Sequence, residues 1–154
     1  MLEEIKMPQV SENFFRYLYH DLRNERKHML FYLTNAASIK GLDSIEYVEM
    51  FESEAKEEMA HVTEFQNMII GLGGDLNELD AQGYERYEIF DNSVEALKYA
   101  LSMEEEVVEN YVNRIEMIEN LENMTTKKWL EVFYEKQIEK SRADVDKYKR
   151  LLNY

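Results

Sequence analysis

Five side chains in this sequence have the types and spacing to hold a cation: Glu25, Glu58, His61, Glu104 and Gln137. Glu25, Glu58, Glu104 and Gln137 each interrupt a helical apolar stripe near its middle, and His61 follows Glu58 by one turn. A carboxylate inside a helical bundle is costly on its own, whereas several carboxylates and an imidazole can be held together by a cation that cancels their repulsion. No Lys or Arg occupies the same level of those stripes, so a metal is the more economical counter-charge. With no Cys in the chain, the donors are limited to carboxylate, amide and imidazole, which suit hard or borderline ions. Iron, manganese and zinc all accept that set. The absence of Cys also removes disulfides, thiolate zinc sites, iron–sulfur clusters and cysteine nucleophiles.

The elements that must position these residues are four long helices. Helix A starts at Ser11, an N-cap, carries Leu18, Leu22, Glu25, Met29, Tyr32 and Ala36 inward, and stops near Lys40-Gly41. Helix B follows Asp43, which with Glu46 resembles a capping box, and its stripe is Phe51, Ala55, Glu58, Val62, Phe65, Ile69 and Leu72, ending at Gly73-Gly74. Helix C begins just after Asn92-Ser93 with Leu97, Leu101, Glu104, Val108, Tyr111, Ile115 and Ile118 inward. Helix D follows residues 123–126 with Leu130, Phe133, Gln137, Ser141, Val145, Tyr148 and Leu152. Helices A to B and C to D are joined by short turns, which make antiparallel hairpins, while about twenty residues between Gly73 and Asn92 are enough to climb the length of a bundle. The expected fold is therefore all-α, a four-helix up-down-down-up bundle with a long B–C crossover, as one domain over residues 1–154.

Composition agrees with long helices: 154 residues, 45% hydrophobic, with only five Gly and one Pro to build turns. A formal charge of -14 argues against a nucleic-acid partner, whose phosphates require Lys and Arg, and suits cations. The N-terminus lacks a basic region followed by an apolar core, and no apolar run approaches the roughly 18 residues of a membrane span. No membrane partner is expected, and the expected location is the cytoplasm.

The offset from Glu25 to Glu58 is 33 residues and that from Glu104 to Gln137 is again 33, so both hairpins set their inward polar groups at equal depth. Glu25, the Glu58-x-x-His61 pair, Glu104 and Gln137, with a crossover between hairpins, resemble the diiron centre of the ferritin-like family. The resemblance covers about residues 11–153 and is closest to the non-haem bacterial ferritins, through residues 57–61, Gly73-Gly74 and Gln137. It implies Glu25 and His61 on one iron, Glu58 bridging, Glu104 on the other iron, and Gln137 and Tyr32 close by. It further implies two iron ions per chain and no haem, although Met59 sits where bacterioferritins present their haem ligand. The implied activity is a ferroxidase, oxidising Fe(II) to Fe(III) with dioxygen or hydrogen peroxide for storage or detoxification. A rubrerythrin-like peroxidase or oxidase without storage is the alternative. The implied assembly is a homo-oligomer, either cage or dimer; about 17 residues follow Gln137, too few for the extra short helix that closes ferritin cages.

Some residues near the set read otherwise. Glu105 and Glu106 turn away from Glu104 around the helix and belong to the surface. A third iron site of the bacterial ferritin kind would fall on Glu57, Lys136, Glu139 and Lys140, and two of those are cations, so no third site is expected. His28, one turn after Glu25, could reach the site's edge but reads as exposed or interfacial, and His20 as surface. Met50 and Met59 read as surface-facing, and Tyr111, Phe133 and Tyr148 as core.

Overall fold

The computed structural model describes residues 9–80 and 86–154 of the chain. Its helices are α1 (Glu12–Ser38), α2 (Ser44–Gly71), the one-turn α3 (Asn77–Asp80), α4 (Ser93–Ile118) and α5 (Met124–Leu151). There is no strand among the described residues, and the expected all-α class with four long helices is what the structure shows. The short α3 within the crossover is additional. Residues 81–85 of the crossover lie outside the described residues.

Local chemistry sets the helix ends. The Ser11 hydroxyl accepts from the Phe14 amide at 3.1 Å, Asn92 Oδ1 from Glu95 at 3.0 Å and Asn123 Oδ1 from Thr126 at 3.0 Å, each satisfying a donor that the first helical turn leaves without a carbonyl. After α2, Gly74 donates to the Ile69 carbonyl at 2.9 Å and Gly73 to that of Ile70 at 3.0 Å, with Gly73 at φ 90°. This is a Schellman turn, and it needs the left-handed conformation that glycine adopts at little cost.

The chain forms two compact units, one containing most of α1 and α2, the other containing α4 and α5. Within the first, partners rise along α1 as they fall along α2. Gly74 lies beside Phe15, Arg26 donates to Gln66 at 3.0 Å, and the rings of Phe31 and Tyr32 meet Phe51 at 6.0 and 5.4 Å. The two helices are therefore antiparallel. Leu18, Leu22, Phe31, Phe51, Phe65, Ile69 and Leu72 are fully buried there. The crossover runs back to the last turns of α1, where Asn35 donates to the Glu88 carbonyl at 3.0 Å and Thr34 meets the Tyr87 hydroxyl at 3.0 Å.

In the second unit, α4 and α5 pack together with Tyr111 edge-on to Tyr134 at 5.1 Å. Leu97, Leu130, Tyr134 and Tyr148 are buried to the last atom. The inward face of α4 is turned slightly from the expected one. Val107 and Arg114 are buried, while Val108 and Ile115 are half-buried. Likewise, of the neighbouring rings on α5, Tyr134 is fully buried and Phe133 half-buried.

Candidate metal centre

Near the middle of α1 and α2, three of the expected ligands come together. His61 Nδ1 lies 3.5 Å from Glu25 Oε2 and 3.4 Å from Glu58 Oε2, and one donor atom from each residue falls within 4.8 Å of the others. All three side chains are buried, at 3%, 2% and 5% exposure for Glu25, Glu58 and His61. The antiparallel packing of α1 on α2 produces this meeting, because residues at equal depth on the two helices face each other. Tyr32 is buried as expected, its ring held edge-on between Phe31 at 5.2 Å and Phe51 at 5.4 Å. Glu104 on α4 and Gln137 on α5 are also buried, at 1% and 3%, within the other unit.

The electrostatics suit a cation. Burial pushes the Glu25 carboxyl up, and this is the largest single influence on it. Hydrogen bonds with Glu58 and His61 and the charges of His28 and His61 together outweigh burial, lowering the group from 4.5 to about 2. Glu25 is consequently a carboxylate throughout the neutral range. His28 departs from the expectation of an exposed or interfacial ring: it is only 2% exposed. The expected stripe ran through Met29, whereas the buried face of α1 turns toward Asp21, Asn24, Glu25, His28 and Asn35, and Met29 is half-buried. Burial lowers the His28 ring from 6.5 to about 4, against the upward pull of Glu25 and with smaller downward pushes from Lys27 and His61. The ring is neutral at pH 7.

Glu54, at 3% exposure, is another buried acid that sequence reasoning passed over. Its signal was present, since Glu54, Glu58 and His61 are spaced four and three apart on one face of α2. Glu105 and Glu106 are exposed as expected, His20 is half-buried, and Glu57, Lys136, Glu139 and Lys140 are all exposed.

A family model for the ferritin-like domain matches residues 15–152. The chain belongs to the ferritin-like family. Among solved structures, a ferritin-like diiron-carboxylate protein from Bacillus anthracis str. Ames is 27% identical, with a TM-score of 0.80 over 93% of this chain and 99% of that one. The bacterioferritin of Mycobacterium tuberculosis has a TM-score of 0.79 at 20% identity, over 94% of this chain and 87% of that one, which shows the shared fold. A search of the curated proteins finds no match. In this ferritin-like chain the buried carboxylate and imidazole donors fit iron by their chemistry, since oxygen and imidazole donors both bind it. No helix among the described residues is long and apolar enough to cross a membrane.

Proposed function

We propose that this protein is a ferroxidase that takes two Fe(II) ions per chain as substrate and oxidises them with dioxygen or hydrogen peroxide. The observation that carries the reading is the buried Glu25, Glu58 and His61 cluster in a chain of the ferritin-like family. Two Fe(II) give one electron each. Dioxygen takes both electrons with two protons and leaves as hydrogen peroxide; hydrogen peroxide as oxidant takes both with two protons and leaves as two waters.

In this proposal Glu25 and His61 bind one ion, Glu58 is shared between the two, and Glu104 and Gln137 complete the set, as the family resemblance implies. Carboxylate oxygens are hard donors that stabilise Fe(III) over Fe(II) and so favour oxidation. The low-titrating Glu25 needs no proton removed at neutral pH. Tyr32, Phe31 and Phe51 pack ring against ring between α1 and α2. Haem has no part in this reading. Working as a homo-oligomer, cage or dimer, in the cytoplasm completes the proposal.

Anaerobic Fe(II) titration followed by admission of oxygen tests it. The parent should bind two ions tightly per chain and consume oxygen rapidly, and Glu58→Ala should lose rapid oxidation and fall well below two ions. A Glu58→Ala variant that binds two and oxidises them at the parent rate overturns the assignment.

A further inference from the structure

The chain contains three histidines, and the proposed centre uses one of them. His20 is half-buried near the start of α1. His28 is different. It is 2% exposed, and it follows Glu25 as His61 follows Glu58, so Glu25-x-x-His28 on α1 repeats Glu58-x-x-His61 on α2 at the same 33-residue offset. Residues three apart on a helix share a face, which keeps the imidazole beside its carboxylate on both helices.

Distance adds a separate observation. A ring nitrogen of His28 and a carboxylate oxygen of Glu58 lie within 4.8 Å of each other, a separation that one metal ion can span. Glu58 thus belongs to two donor groups at once, with Glu25 and His61 in one and with His28 in the other. Burying an imidazole costs free energy that a core aromatic ring of similar volume would not incur. A ligand role explains why an imidazole stands there.

We propose that His28 is a ligand of the second metal ion, so that Glu58 bridges two ions that each carry one histidine, His61 on one and His28 on the other. The proposal rests on the diiron reading and deepens it, replacing a centre with one imidazole by a centre with two.

Anaerobic Co(II) titration of the full-length chain, read by the ion's visible d–d absorption and by calorimetry, tests the assignment without any turnover. The parent should take two Co(II) per chain. His28→Ala should keep one at parent affinity, hold the second at least roughly tenfold more weakly, and lose the second ion's part of the spectrum. Free imidazole added to His28→Gly should restore that part, and His20→Ala should match the parent. Thermal melting of each metal-free variant checks folding; if His28→Ala does not fold, His28→Asn takes its place with the same expectations. A folded variant that binds two Co(II) with parent affinity and spectrum overturns the role of His28 and leaves the diiron reading standing. A parent that does not take two ions overturns both.

Discussion

His28 and Glu25 titrate in neighbouring pH windows, and both make the metal-free protein weaker in acid. His28 falls from 6.5 to about 4 on folding, so the unfolded chain takes the proton first. Its contribution is complete above 6.5 and is lost as pH falls toward 4. Glu25 falls from 4.5 to about 2, so its stabilisation is present above 4.5 and is lost as pH falls through 2. At pH 5 the penalty from His28 amounts to about 2 kcal/mol. Urea unfolding of the metal-free protein at pH 7.5 and pH 5 should show the parent losing about that much more stability than His28→Asn; equal losses would show that the ring does not titrate as a buried group. At this scale Glu25, Glu58 and His61 were legible because an acid or imidazole on an apolar stripe is conspicuous. His28 and Glu54 were not, because the buried face of α1 carries polar residues, Asp21, Asn24 and Asn35 among them, and the one buried on α2 stands beside the stripe. Polarity disguised that burial.

Helix ends carry the register on which such meetings depend. Ser11 was readable as an N-cap because a short side-chain oxygen before a periodic run has one economical use, whereas the capping by Asn92 and Asn123 emerged from the structure. The stripe on α4 was harder, since alternating spacings of four and three fit two adjacent faces of a 3.6-residue helix almost equally, and packing selected Val107 and Arg114 over Val108 and Ile115. The one-turn α3 has too few residues to show a period. The close of α2 is the most demanding junction. A Cβ on Gly74 would lie 2.6 Å from Ile69 Cγ2, 2.8 Å from Phe15 Cε1 and 3.0 Å from the Ile69 carbonyl, and backbone cannot swing aside as a side-chain tip can. Gly74→Ala should therefore cost roughly 1–3 kcal/mol, against about 1 kcal/mol for Asn123→Ala, which removes a cap without a clash. Chemical denaturation of the two variants checks the order, and a Gly74→Ala protein as stable as the parent would show that the end of α2 can open at little cost.

Over the whole chain, 32 acids against 18 Lys and Arg leave a formal charge of -14. Among the described residues only Asp21, Glu25, Glu54, Glu58 and Glu104 are buried acids. The other described acids whose burial is defined are exposed or half-buried, and their charge acts on ions still in solution. A divalent cation approaching such a surface is attracted over about 30 Å at 0.01 M ionic strength but over only about 8 Å at 0.15 M. Electrostatic steering of this kind raises association rates by roughly 10- to 1,000-fold and fades with salt. Dioxygen has no charge and gains nothing from the field. With Fe(II) limiting and oxygen in excess, stopped-flow mixing should therefore show the initial oxidation rate falling at least roughly tenfold between those two ionic strengths. With Fe(II) bound beforehand under anaerobic conditions and oxygen then admitted, the rate should change little, because the ions already sit among buried carboxylates that salt screens poorly. A salt-independent rate in the first experiment would mean that surface charge does not guide iron to the protein, and a steep salt dependence in the second would place the oxidised ions outside the buried cluster of Glu25, Glu58 and His61.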